Sequence, residues 1–517
     1  MLEARVHEQL RAFLRQQGAV SWPHHLTMAR LVARALRLGR SSLMQVGSGA
    51  AFRGQYRLSY LISLLLWPDP VIVVLPTAIL QRVQRVDIPS LQRWLPSTKP
   101  ILQGDRWPDP QFRGILLTTP EAWLRDRLTT QDRFPSNIPV ILDGADDLEA
   151  QIRSTLTSTL TAADWDALMQ AYPAHQALIR DMRVKLTHAI FQHPANPYQC
   201  HLLDPDEQAP LSQLIAALTE DDPTACAMPL AWRSLWHPPT ASEQQVWVTL
   251  NRSQGQWALH RAPIHVGATA SQIWDQQPLV VIGGSLDTES DAIAYRQRLG
   301  LSDMTCVKFE PDRQTEGINL YVPDALPLPN TAEFQPALLQ ELARLLVQPI
   351  AQSGLTVIVV GDVPLKAQVG AVLASQFGSR VQVEAAVRDR GILICGWDYW
   401  RTHQAHLPTP PLLIIPTLPI PSLEDPLVAG HVSYYKRRRQ DWFRLYLLPA
   451  ALNELQRAIA PIRDQQGTVA ILDTRVNHRS YGRQFLDALN PSARLRRLDA
   501  AWLDNSNPSL TFPQEHY

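Results

Sequence analysis

Residues 71–75 read Val-Ile-Val-Val-Leu, a short β-branched run bounded on both sides by prolines. A run this apolar, without polar alternation, predicts a strand buried on both faces, as parallel strands are. Working outward, Leu43–Val46, Gly114–Thr118 and Val140–Leu142 have the same character. Between them, residues 2–15, 26–38 and the stretch up to Trp67 carry apolar positions at helical spacing. Strands alternating with helices predict a parallel α/β sheet. From Leu148 to about Pro238 the chain turns helical and polar, interrupted by Pro173, Pro194, Pro197, Pro205, Pro210 and Pro223, and predicts no strand. Strand runs return at Leu279–Ile282, Leu355–Val360, Gly391–Cys395, Leu412–Ile415 and Val469–Leu472, which predict a second α/β unit.

The composition narrows the function classes. The chain has 517 residues, of which 45% are apolar and 19% charged, so it is a globular chain long enough for two or three domains. Its 48 basic and 48 acidic residues cancel, so no net charge draws it to nucleic acid as a whole. Five lysines stand against forty-three arginines, which matters for chemistries that need a lysine at a fixed place. Cys200, Cys226, Cys306 and Cys395 show no CxxC spacing, so neither zinc nor an iron–sulfur cluster is indicated. The charged start and the longest apolar run, Leu58–Trp67, exclude a signal-peptide core and a span of roughly 20 residues. These features predict a soluble, cytoplasmic protein without a membrane partner. His24 and His25, next to a helix start, read as capping or surface residues rather than metal ligands.

Several segments, taken in order, resemble the DinG/XPD branch of the superfamily-two DNA helicases, over nearly the whole chain. Met28–Gly49 resembles the helix, strand and phosphate loop that open such proteins, Val73–Leu95 the next block, and Val140–Leu148 (VILDGADDL) the DEAH box. The second half is closer. Leu412–Pro426 (LLIIPTLPIPSLEDP) resembles the family's IIxKLPFxxPxDP segment. Trp442–Pro449, Leu455–Arg463, Gly467–Arg475 and Arg479–Leu489 follow in the family's order and spacing. The resemblance implies an α/β fold of two tandem RecA-like domains, parallel sheets flanked by helices, with a mostly helical insertion in the first. The corresponding boundaries are 1–147 for the first part of domain 1, 148–244 for the insertion, 245–300 for the completion of domain 1, and 301–517 for domain 2 of the helicase C-terminal type. It further implies nucleotide in the cleft between domains and a single strand across their top.

The family's chemical residues are largely replaced. Its phosphate loop, GTGTGK[ST], supplies backbone N–H groups, a lysine for the outer phosphates and a hydroxyl for magnesium. Here Gly47, Ser48 and Gly49 lead into Ala50-Ala51, with Phe52 at the lysine place and Arg53 at the hydroxyl. The stretch reads either as a degenerate nucleotide site or as an ordinary strand-to-helix turn. In the DEAH position Asp143 remains, while glycine replaces the glutamate that orients water and aspartate the histidine. Asp143 then caps the turn and Asp146–Glu149 are solvated charges, or one aspartate stands in as base. Ile282–Leu286 and Tyr399–Gln404 stand where a coupling segment and FWEGVD belong. In QxxGRxxR the aligned residues are Gln456, Ala460 in place of the arginine finger, and Arg463. Asp143, Gln456 and Arg463 are thus relics of catalysis, and no catalytic residue is assigned. ATP and magnesium are cofactors only of an active motor. Residues 96–142 lack the cysteines of the branch's iron–sulfur cluster.

Residues 431–497 carry thirteen basic against five acidic residues, a local excess of eight positive charges. Such a segment is the footprint of a phosphate-backbone binder, and Tyr434, Tyr435, Trp442, Phe443 and Tyr446 lie among its charges. Lys436, Arg437, Arg438 and Arg439 are the expected exposed contacts to single-stranded DNA or RNA. The alternative is that the aromatics are core and Arg475 and Arg479 are structural partners of Asp473 and neighbouring carboxylates. The sequence thus predicts a helicase-like nucleic-acid-binding or regulatory factor whose ATPase is lost or strongly weakened. The alternatives are an active ATP-dependent DNA helicase of repair or replication, and a protein-interaction scaffold whose partners the sequence leaves open.

Overall fold

The computed structural model describes the chain apart from residues 1, 18–21, 96, 98, 130, 223–225, 237–242, 313–314, 388 and 496–517. In chain order the strands of the first half are β1 (Ser42–Gln45), β2 (Val71–Val74), β3 (Ile101–Gln103), β4 (Ile115–Thr118), β5 (Val140–Asp143), β6 (Ser158–Leu160), β7 (Cys200–Leu202), β8 (Gln244–Asn251) and β9 (Gln256–Pro263). Those of the second half are β10 (Leu279–Gly283), β11 (Thr305–Lys308), β12 (Ile318–Tyr321), β13 (Thr356–Val359), β14 (Val381–Val383), β15 (Ile392–Cys395), β16 (Leu412–Ile415), β17 (Thr468–Ile471) and β18 (Ser492–Leu495).

They form three sheets. The first has the order β11-β1-β10-β5-β2-β4-β3 and the second β14-β15-β13-β16-β17-β12-β18, each of seven parallel strands. β2, β4 and β5 are buried along their whole length, as are β13, β15, β16 and β17. That is why their sequences are continuous apolar runs: helices cover both faces, and each sheet separates two apolar clusters. These are tandem RecA-like domains.

The third sheet corrects the expectation that the insertion lacks strands. β6, β9, β8 and β7 pair antiparallel in that order. The β8–β9 hairpin, expected to begin the completion of domain 1 at residue 245, therefore belongs with the insertion. Its core includes Trp165 and Trp232, edge to face at 4.7 Å, with Leu214, Val248 and Leu259. The pairing of β11 with β1 likewise carries the first sheet past residue 300 to Lys308. Both shifts have one cause: β6, β7, β11 and the hairpin are short or partly exposed, so they lack a continuous apolar run.

In the first sheet β10 lies between β1 and β5, so the loops that follow these three strands converge at one edge. Carboxyl ends of parallel strands at such a point are where α/β proteins hold ligands.

Candidate functional site

The loop after β1 turns at Gly47 and leads into a helix of six residues, Ser48–Arg53. This helix packs on the long helix Leu448–Asp464 of the second domain, so chain atoms already close the cleft here. Arg53 reaches across. Its Nη2 donates to Glu316 Oε1 at 2.9 Å, and its Nε lies 3.5 Å from Asp464 Oδ1. The Glu316 side chain is 3% exposed, and burial raises its pKa above the usual carboxylate value. A Cβ built on Gly49 would lie 3.0 Å from Glu316 Oε2, so a carboxylate sits against the loop's backbone. A phosphate site presents donors and a lysine to oxygens. This loop instead faces an acid, and its cation is engaged with that acid.

Asp143, at the end of β5, is fully buried. It accepts hydrogen bonds from Tyr56 Oη, from Tyr60 Oη at 2.9 Å and from Arg57 Nε at 3.1 Å. All three donors follow Gly54 within six residues, so the segment after the loop wraps the aspartate. Gly54 adopts φ +73°, and a Cβ there would strike the Arg57 guanidinium. Burial drives the Tyr56 and Tyr60 hydroxyls well above their ordinary pKa. Burial also opposes the charge of Arg57, but the facing Tyr56 and Asp143 outweigh it and raise its pKa. Magnesium at Asp143 requires these donors to leave, and its usual neighbour is missing. Gly144 has φ +84°, and a Cβ there would come within 2.8 Å of Pro76 Cγ. The residues present thus do not fit ATP with magnesium.

Asp143 therefore does not cap the turn, and the acids after it are not solvated spectators. Asp146 accepts from the Gly284 and Ser285 N–H groups at 2.8 and 2.9 Å, fixing the loop after β10. Asp147 takes both arms of Arg457 at 2.6 and 2.9 Å, a second bridge between the domains. Burial pushes the Asp147 pKa up, but the forked bond to Arg457 prevails and holds it below the usual range. Glu149 accepts from Arg153 at 3.1 Å.

On the helix Leu448–Asp464, Gln456 is half-buried and Ala460 is in the core. Arg463 is 3% exposed and spends its guanidinium on backbone carbonyls: Glu316 at 2.9 Å, Leu489 at 2.9 Å and Asn490 at 3.1 Å. Burial pulls its pKa down to about 10. Arg463 thereby pins the strand-joining turn before β18. Arg475 pairs with buried Asp473 at 2.6 Å, whereas Arg479 is exposed.

Lys436–Arg439 lie at the C-terminal end of the helix Pro426–Arg437 and are exposed. Lys436 Nζ sits 5.4 Å from the Trp442 ring centre, Arg438 Cζ 4.5 Å from that of Tyr434, and Arg437 pairs with Glu243. Tyr434 and Tyr435 are buried against Ile264, leaving Trp442, Phe443 and Tyr446 only partly exposed. Arg496 and Arg497 lie outside the described residues. His25, expected at the surface or as a cap, is buried and bonded to Ser59 Oγ at 2.8 Å, while His24 bonds the Glu310 carbonyl at 2.9 Å. Cys200, Cys306 and Cys395 stand on separate strands and Cys226 in a loop, and no group of metal-ligating side chains occurs among the described residues. Among those residues no helix is long and apolar enough to cross a membrane.

Tyr56, Arg57, Tyr60, Glu316 and Arg457 were not identified from sequence. The first three carried a signal, donors at i, i+1 and i+4 directly after the loop. Glu316 and Arg457 meet partners far away in the chain and carried none.

Residues 411–492 match the family model described as the helicase C-terminal domain. The ATP-dependent DNA helicase YoaA of Escherichia coli (strain K12) is 30% identical over 113 residues, which is 21% of this chain and 18% of that protein. The match thus spans less than a fifth of that relative's length. Among solved structures, an apo XPD superimposes with a TM-score of 0.58 at 12% identity, covering 91% of this chain and all of that one. The Xpd4 of S. tokodaii gives 0.56 at 13% identity, covering 91% and 99%. The chain thus has two RecA-like domains arranged as in the XPD structures, and the second contains the segment that matches the helicase C-terminal domain. In fold the chain is similar to the XPD structures, and in sequence the similarity to helicases lies in residues 411–492 and in the 113 residues aligned with YoaA.

Proposed function

We propose that this is a helicase-fold protein that binds single-stranded nucleic acid without a working ATP motor. The observation that carries the reading is the Glu316 carboxylate seated against the loop at Gly49 and bonded to Arg53. Three further features support it. Asp143 is saturated by Tyr56, Arg57 and Tyr60. Gly144 leaves no carboxylate to orient water, and Ala460 stands in the core where an arginine finger belongs. Side chains of the protein thus join the two domains where a nucleotide would join them in a motor.

Strand binding falls to the exposed cluster Lys436–Arg439, helped by the exposed part of Trp442. Arg437 already has Glu243 as partner, so three of the four charges are available to phosphates. The test is binding of a labelled single strand across a salt series, for the natural protein and for the variant with all four residues changed to alanine. The slope of log affinity against log salt should fall by about 2, near 0.7 for each lost contact. An unchanged slope and affinity would leave a protein-interaction scaffold as the better reading. Strand-stimulated ATP turnover would favour an active helicase with substitute residues.

A further inference from the structure

A second concentration of positive charge lies near the start of the chain. Residues 2–40 carry seven arginines against Glu3 and Glu8, an excess of five positive charges in a chain whose total is zero. They include two helices, Leu2–Gln17 and His25–Leu38, which pack on each other and on the helix Arg57–Leu66 over one face of the first sheet.

The buried residues of the helix His25–Leu38 include Met28, Ala29, Val32, Ala33 and Leu36. Arg30, Arg34 and Arg37 stand on the opposite side, within about 60° of one another around the axis, and all three are exposed. In the helix Leu2–Gln17, Val6, Leu10 and Phe13 face the core, while Arg11 and Arg15, one turn apart, are exposed. Residues 18–24 join one end of the pair, and Arg37 meets Glu3 at 2.7 Å at the other. The helices therefore run antiparallel, with Arg30 level with Leu10 and Arg11. Among the described residues, Arg11, Arg15, Arg30 and Arg34 make no ion pair or side-chain hydrogen bond.

A solvated helix face ordinarily mixes signs, because like charges four residues apart repel. The helix His25–Leu38 holds no acid at all, so repulsion between Arg30 and Arg34 goes uncompensated within it. Guanidinium forks match phosphate oxygens. The row from Arg30 to Arg37 runs about 10.5 Å, past several charges of a duplex that carries one for about every 1.7 Å of its axis.

The exposed residues of the two helices include no aromatic ring, unlike the cluster at Lys436–Arg439 beside Trp442. Single-strand sites add rings on which bases stack, whereas a duplex keeps its bases stacked on one another and presents phosphates outward. A protein partner would call for an apolar centre. Leu38, at the helix end, is the one large apolar side chain exposed among the described residues of the pair.

We propose that the outer face of this helix pair, with Arg11, Arg15, Arg30 and Arg34, is a docking surface for double-stranded nucleic acid, held by its phosphate backbone without regard to sequence. The face belongs to the first domain and Lys436–Arg439 to the second, so the proposal does not depend on the single-strand reading.

The experiment measures binding of a DNA duplex of mixed sequence, of oligothymidine and of polyglutamate across a salt series. It compares the natural chain with the variant in which Arg11, Arg15, Arg30 and Arg34 are alanine, a strong helix former. For the duplex, the slope of log affinity against log salt should fall by about 3.5, near 0.9 for each lost contact. Raising salt from about 50 to about 200 mM should therefore cost the natural protein roughly a hundredfold more duplex affinity than it costs the variant. Oligothymidine binding should not change. Arg30→Gln with Arg34→Gln is the smaller variant should the first fail to fold, and should remove about half of that slope. No duplex binding by the natural protein, or an unchanged slope in the variants, overturns the proposal. An equal loss on oligothymidine overturns the assignment to duplex, and a parallel loss on polyglutamate overturns it in favour of an acidic protein partner. If oligothymidine does not bind at all while the duplex slope falls as expected, the single-strand reading fails and the duplex surface stands.

Discussion

Arg463→Ala tests how the second domain uses a residue that stands at a helicase-motif position. The side chain is 3% exposed and donates to three carbonyls within 3.1 Å, those of Glu316, Leu489 and Asn490. Truncation leaves these acceptors without donors, at about 1–3 kcal/mol for each buried orphan. Part of this is recovered, because the guanidinium no longer has to be held out of water. The net expected loss is about 3 kcal/mol from the second domain. The assay is denaturant unfolding followed by a probe in that domain, reading the midpoint at constant slope, since a chain of two domains has no single transition. Arg463→Lys should lose roughly half as much, because an ammonium has three donors but not the fork that spans three carbonyls. Hydrogen exchange should quicken in β12 and β18, which flank the pinned turn. A loss below about 0.5 kcal/mol would refute the reasoning, since that is what an exposed substitution costs.

Three other outcomes follow from the same structure. His25 and His431 are buried neutral with pKa values near 4, below the ordinary 6.5, so the unfolded chain gains protons first as the pH falls. Their stabilisation is complete above pH 6.5 and is lost as the pH falls towards 4, about 2 kcal/mol for each ring by pH 5, and His25→Gln should flatten that slope in unfolding curves. Asp143→Asn strands the buried Arg57 charge and should cost about 3 kcal/mol in chemical denaturation of the first domain. A double-mutant cycle on Asp147 and Arg457 should show coupling of about 1 kcal/mol, modest because Asp147 is half-exposed, and Arg457→Ala should increase the radius of gyration if the bridge keeps the domains together.

The nine buried strands anticipated from apolar runs all occur, within a residue or two of the expected ends, because burial on both faces leaves a pattern that needs no partner to be seen. Most of the strands that escaped notice are of another kind, although β12, inside the second sheet and mostly buried, is not. β3, β11, β14 and β18 lie at sheet edges with part of their surface in water, and β8 and β9 mix polar with apolar residues and are only partly buried. The replacement of the motif residues was legible because Phe52, Gly144 and Ala460 stand at fixed distances from segments that match the helicase pattern. What fills the space was not. Glu316 meets Arg53 across 263 residues and Arg457 meets Asp147 across 310. No local periodicity encodes such encounters; only the packing of one domain on the other brings them about. Arg463 shows the same limit. Its motif position was legible, but its carbonyl partners depend on a turn that sequence spacing does not specify.

At the loop after β1, side chains rather than nucleotide join the two domains. This is tested most directly by titrating ATP and magnesium into the full chain in a calorimeter, with and without a single strand, and assaying released phosphate on the same samples. The account predicts no binding heat at millimolar ATP and no phosphate above background, in the natural protein and in Phe52→Lys, because Glu316 and Gly144 remain. Micromolar ATP binding, or phosphate release that the strand accelerates, would contradict it.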